Sequence, residues 1–343
     1  MRFSPKPSLR NGHVMTLYAW AMPRRFPRLP SPVPRYFDVA EDARVLAHCH
    51  WQERPRAAAT IVGLHGLEAS SGAHYMCGLA DKAYAAGFNV VLLNQRNCGG
   101  TEALSAGLYH SGLTADTRAV ISELRALDGL TSFIVAGYSL GGNLALKLAG
   151  EYGDAAPPEL LGVAAVSPVI EVGACVRALE RRSNVVYQWN FVRSLKARMR
   201  RKDEAWPGRF PIERLGRVRT VRMFDEVFTA PHFGFRNADD YYYRASAMRV
   251  IDRVRVPALI VTAEDDPFVP PEPFRDARVT GNPVITMELT KHGGHCAFVS
   301  SNGTGDRYWA EERILAFATG LVRPGASREA ASRAAAQPPA LRA

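Results

Sequence analysis

The chain has 343 residues, 47% apolar and 22% charged, a balance that allows a sizeable buried core and excludes a low-complexity or fibrous protein. No stretch approaches the ~18 to 20 uninterrupted apolar residues of a spanning helix. The short apolar piece at residues 14–22 is followed by Arg24 and Arg25 rather than small cleavage-site residues, so a secretory signal is not expected. The net charge of +10 favours anionic partners, but no nucleic-acid motif accompanies it. The expected setting is cytoplasmic, at most peripheral to a membrane.

In chain order, residues 1–35 are rich in Pro and Arg and read as an irregular N-terminal arm. Residues 45–51 alternate as a half-buried strand does, and residues 60–64 form a short apolar strand ending at His65-Gly66. Met76, Leu79, Ala80 and Ala83 share one face of a helix closed by Gly87. Residues 90–93 are again an apolar strand. Val120, Ile121, Leu124 and Leu127 mark a helix stopped at Asp128-Gly129. Residues 133–136 predict a strand, Leu140, Leu144, Ala145 and Leu148 a helix, and residues 161–166 another strand. After a break, residues 258–262 and 284–287 read as strands. Tyr308, Leu315, Ala318 and Val322 lie on a closing helix.

Apolar strands alternating with helices predict an α/β fold with a mostly parallel central sheet covered on both faces. The expected core spans residues 36–170 and 246–322. Residues 171–245 are basic, aromatic and loop-rich, and read as a lid insertion over one end of the sheet. Residues 323–343, rich in Ala, Arg, Pro and Ser, are expected to be disordered. Five widely spaced cysteines without a C-x-x-C pair argue for reduced thiols.

Gly137-Tyr138-Ser139-Leu140-Gly141 fits G-x-S-x-G between a strand and a helix. In that pattern the serine sits on a strained turn, and side chains at the flanking positions would collide with neighbouring backbone. A serine hydroxyl needs a base, and the base needs an orienting acid. Both follow in the order Ser, acid, His: Asp266 after the strand at 258–262, with Asp265 as the rival acid, and His295 after two glycines, with His292 as the rival base. The oxyanion hole is assigned to the backbone N–H groups of Leu67 and Leu140, since fixed dipoles need no reorganisation. His48 and His50 share a strand face without an acidic partner, so no metal site is expected, and the chemistry calls for no cofactor.

Val185, Val186, Trp189, Val192, Leu195 and Met199 have helical spacing amid many cations. They predict a basic amphipathic helix in the lid, which either packs on the core or rests on anionic lipid.

Taken together, these residues resemble the YheT-like, type-four branch of the α/β-hydrolases over residues 8–322. The resemblance rests on Asn11-Gly12-His13-Val14-Met15-Thr16-Leu17, His65-Gly66-Leu67-Glu68, the segments at 94–100 and 109–112, and the three catalytic regions. Gly12 stands where that family usually has Pro, and Asn97 where it usually has Gly. The resemblance implies an esterase or lipase using Ser139, Asp266 and His295. The expected function is hydrolysis of short- to medium-chain or lipid carboxylic esters through an acyl-enzyme. Acyl transfer to an alcohol is the alternative, and a non-catalytic binding protein on the same scaffold the second.

Overall fold

Strands built almost wholly from aliphatic residues are buried on both faces in the computed structural model, which describes residues 3–302 and 306–322. The tail expected at 323–343 lies outside the described residues. Eight strands, β1 (Val33–Ala40), β2 (Ala43–His50), β3 (Thr60–Leu64), β4 (Asn89–Leu93), β5 (Phe133–Tyr138), β6 (Leu160–Val166), β7 (Ala258–Ala263) and β8 (Ile285–Thr290), form one sheet. Their order is β1-β2-β4-β3-β5-β6-β7-β8. From β4 to β8 every pairing is parallel; β1–β2 and β2–β4 are antiparallel. The mostly parallel sheet is the one the apolar runs predict.

The N-terminal arm departs from expectation. It holds a ten-residue helix, α1 (Gly12–Ala21), and runs into β1 at Val33. Asn11 caps α1 by accepting the Val14 N–H at 3.1 Å, which satisfies a donor that has no intrahelical partner. β1 escapes the sequence pattern because Pro34 and Arg35 interrupt its apolar residues. As an edge strand it tolerates both.

Helix α2 (His74–Ala85) covers one face of the sheet, while α3 (Thr114–Asp128) and α4 (Leu140–Tyr152) cover the other. Gly129 ends α3 at φ 69°, the left-handed cap that glycine adopts without strain. Between β6 and β7 lie α5 (Val172–Leu179), α6 (Val185–Ala205), the short α7 (Val221–Phe224) and α8 (Ala230–His232), and α9 (Ala238–Ala245). α10 (Ala277–Thr280) precedes β8, and α11 (Trp309–Val322) joins α2 on the first face through Trp309, Ala310, Ile314 and Ala318. Val322, expected on that face, is exposed.

The apolar stripe expected along α6 divides. Val192, Leu195 and Met199 enter the core, whereas Val185, Val186 and Trp189 face solvent. Tyr241 and Tyr242 are buried and Tyr243 is not. All five cysteines are free thiols.

Candidate active site

Parallel strands deliver their C-terminal ends to one edge of the sheet, and the loops that follow β3, β5, β7 and β8 carry the candidate residues. Ser139 directly follows β5 and precedes α4, with φ 54° and ψ −115°, a conformation that costs an ordinary residue free energy. Two glycines make the turn possible. A Cβ on Gly137 would stand 2.0 Å from the Gly141 carbonyl oxygen, and one on Gly141 would stand 2.2 Å from that of Leu64. The Ser139 N–H is held by the Val166 carbonyl at 2.9 Å, on the neighbouring strand.

Asp266 leaves β7 on a tight turn. Its Oδ1 accepts the N–H groups of Phe268 at 3.1 Å and Val269 at 3.0 Å, which aims Oδ2 at His295 Nδ1, 2.8 Å away. The Asp266 side chain is 0% exposed and that of His295 is 11% exposed. Burial works against an imidazolium here, but the adjacent Asp266 carboxylate, helped by the neighbouring Cys296 sulfur, more than offsets it and raises the His295 pKa above its ordinary value. The Phe268 ring covers the imidazole at 4.1 Å between centroids.

The rivals have other partners. His292 Nδ1 lies 3.3 Å from Asp265, whose other oxygen accepts the Gly294 N–H at 2.9 Å. That pair braces the loop carrying His295. Cys296 connects this loop to the serine turn: its Sγ donates to the Val166 carbonyl at 3.7 Å, the same oxygen that holds the Ser139 N–H. Among the described residues the Ser139 hydroxyl makes no hydrogen bond.

The loop after β3 is fixed from several sides. The buried His65 ring bonds the Gly66 carbonyl through Nδ1 at 2.7 Å, and Nε2 accepts the Gln95 N–H at 3.1 Å. One donor and one acceptor suit a neutral imidazole, and burial lowers its pKa to about 4. The Tyr75 hydroxyl accepts the Gly66 N–H at 3.0 Å. A trans peptide turns N–H and C=O to opposite sides, so fixing the Gly66 carbonyl also fixes the Leu67 N–H. That N–H makes no hydrogen bond among the described residues. A Cβ on Gly66 would reach 3.3 Å from the Ser139 Cβ, so this loop passes close beside the serine. Leu140, the first residue of α4, has no intrahelical acceptor for its own N–H.

Several positioning residues lie in the segments that carry the family resemblance, but their roles show only in the contacts they make. Glu68, at φ 56°, pairs with Arg198 of α6 at 2.8 Å and accepts the Tyr109 hydroxyl at 3.0 Å, all three being buried or nearly so. Asn143 ties the turn after Tyr109 to the end of α9, donating to the carbonyls of Ser111 at 2.7 Å and Ala245 at 2.9 Å. Thr16 of α1 accepts the His295 N–H at 2.8 Å. Gly12 permits that approach: a Cβ there would stand 1.8 Å from the Asp265 carbonyl oxygen. Asn97 adopts φ 64°, so the residue replacing the usual Gly is one of the few that tolerate the left-handed region.

A mostly parallel sheet with a serine on this strained turn defines an α/β hydrolase. The family model described as alpha/beta hydrolase fold matches residues 59–301. The esterase YheT of Escherichia coli (strain K12) is 32% identical over 317 residues, covering 91% of each chain. Phospholipase ABHD3 of Mus musculus is 30% identical over 70% of this chain, which spans 58% of that protein's length. Among solved structures, the Pyrococcus furiosus esterase Pf2001 superposes with a TM-score of 0.53 at 15% identity, over 84% of this chain and 92% of its own. The chain belongs to the α/β-hydrolase family, in its YheT-like branch, and is a carboxylic ester hydrolase. Among the described residues no helix is long and apolar enough to cross a membrane.

Proposed function

We propose that Ser139, His295 and Asp266 form the catalytic triad of this ester hydrolase, with the N–H groups of Leu67 and Leu140 as its oxyanion hole. The observation that carries the reading is the 2.8 Å His295–Asp266 hydrogen bond beside a serine held at φ 54°. With Nδ1–H given to Asp266, His295 Nε2 keeps a lone pair. That lone pair takes the Ser139 proton as Oγ bonds to the ester carbonyl carbon. The negative charge moves to the carbonyl oxygen, where the two N–H groups stabilise it. Collapse breaks the bond to the alcohol oxygen, which leaves with the proton from His295. Water then attacks the acyl–Oγ ester with His295 as base, releasing the acid and restoring the serine.

Residues 171–245 act in this reading as a lid over the core at 36–170 and 246–322, with residues 1–35 as a bracing arm. A lipid or medium-chain ester is the substrate class we favour. The name phospholipase carried by one relative supports it, as does the lid helix, whose basic side suits an anionic surface.

The test is turnover of p-nitrophenyl esters of increasing acyl length by the wild type and Ser139→Ala. Activity across a band of chain lengths, lost in the variant, is expected. Equal rates from both proteins would overturn the assignment. A new ester formed when an alcohol is added would show acyl transfer in the second step.

A further inference from the structure

Many arginines on this surface are matched by a carboxylate, but a group of cations gathered around α6 is not. On α6, the spacing of Val185, Trp189, Arg193, Lys196 and Arg200 sets them along one side of the helix. With Val192, Val218 and Arg219 they line a shallow groove of about 440 Å³. Among the described residues, Arg193, Lys196, Arg200 and Arg219 form no ion pair. Arg219 donates only to the carbonyls of Gly216 and Val218. Four unpaired cations held together repel one another unless an external anion joins them.

The same face is apolar at its other end. Val185, Val186 and Trp189 are 62%, 61% and 61% exposed. The Arg193 guanidinium lies over the Trp189 ring at 5.2 Å. α1 lies next to this end, since His13 stacks on Tyr187 with centroids 5.8 Å apart. It too exposes Val14, Leu17 and Trp20, the last at 68%, and Met22 just after it is exposed as well. Both helices touch the candidate site. Thr16 holds the His295 N–H, and Tyr187 packs on Phe268, which covers the His295 ring.

We propose that α6 and α1 together form a docking face for an anionic phospholipid bilayer, with the four cations against headgroup phosphates and Trp20 and Trp189 at the headgroup level. Charge complementarity selects the occupant. A nucleic-acid backbone would match the cations but leave the exposed valines, Leu17 and both tryptophans without partners. A bilayer interface matches both, because apolar side chains enter the acyl boundary while cations stay at the phosphates. The benefit of docking rests on the lipid-ester reading, since it would bring the mouth of the site to its substrate; the docking itself does not.

The experiment is co-sedimentation of the full chain with vesicles of phosphatidylcholine, with and without one third phosphatidylglycerol, together with hydrolysis of a water-soluble p-nitrophenyl ester. The wild type should pellet with the anionic vesicles and not with the neutral ones. A triple R193E/K196E/R200E variant should bind the anionic vesicles at least about tenfold more weakly. Trp20→Ser with Trp189→Ser should weaken binding similarly, and both variants should hydrolyse the soluble ester at the wild-type rate, which shows that they fold. The proposal is overturned by wild type that stays in the supernatant, by equal binding to both vesicle types, by variants that bind as wild type does, or by tighter binding to duplex DNA than to the anionic vesicles. Vesicle binding without ester turnover would sink the catalytic reading and leave the docking face intact.

Discussion

The hydroxyl of Thr16 joins the two ends of the described chain: it accepts the backbone N–H of His295 at 2.8 Å and donates to the Gly12 carbonyl at 2.7 Å. The loop carrying the proposed base is therefore held by the first helix. Thr16→Val removes the acceptor and leaves a half-buried N–H unpaired, a cost of about 1–3 kcal/mol. The rate constant kcat for a soluble ester should fall about tenfold with KM nearly unchanged, and Thr16→Ser should restore it. A Thr16→Val enzyme with unaltered kcat would remove α1 from the account.

The serine turn predicts a contrast among glycines. Gly141→Ala places a methyl group 2.2 Å from the Leu64 carbonyl oxygen, and neither backbone can withdraw without breaking a strand or the helix start. Activity should vanish and the melting temperature should fall by many degrees. Gly320→Ala, on α11 with nothing near its added Cβ, should instead stabilise by about 0.5–1 kcal/mol. Thermal unfolding of the two variants checks both signs.

Because Asp266 raises the His295 pKa, the pH profile of kcat/KM should show an acid limb above the usual histidine value of about 6.5. The base works only when neutral, so activity is lost as pH falls through that limb and is full above it. Asp266→Asn removes the carboxylate that most opposes burial, so the limb should move to lower pH while kcat drops by about 10⁴. A limb that stays in place in Asp266→Asn would point to another titrating group.

Arg198 of α6 and Glu68 form a buried pair between that helix and the loop bearing Leu67. Truncating one partner leaves the other charge buried and unmatched, at about 3–5 kcal/mol. Arg198→Met should lower both melting temperature and kcat, because the loop bearing the proposed oxyanion N–H loses its anchor. Adding Glu68→Gln should recover part of the stability. A double variant as unstable as the single one would mean that the pair is not the coupling between α6 and that loop.

The sheet and the serine turn were legible because their causes are local. A strand buried on both faces must be mostly apolar, as β3, β4, β5 and β7 are apart from Thr60, Asn89 and Thr262, and a turn at φ 54° must be flanked by small residues. β1 was hidden, since an edge strand can carry Pro34 and Arg35 without cost to the ladder. α1 was hidden too: its residues show little amphipathic contrast, and its stability comes from packing against residues such as Ala297 and Val299. The order of Asp266 and His295 could be read from chain position, whereas the choice of Thr16 or Arg198 as a support depends on contacts spanning 279 and 130 residues. No local pattern encodes such contacts. The apolar spacing along α6 predicts a single face, but its two halves meet different environments.

The antiparallel pairing of β2 with β4 has a practical consequence. The segment matching the family model starts at residue 59 and ends at 301, after β2 and before α11. A fragment cut to those limits would leave β4 as a bare edge of aliphatic residues, the kind of edge that templates pairing with other chains, and would strip α2 of its helical neighbour. Its His295 loop would also lose the hydroxyl that holds it. Such a fragment should aggregate rather than catalyse, so the smallest piece of this chain able to hydrolyse an ester is larger than the piece that similarity alone picks out.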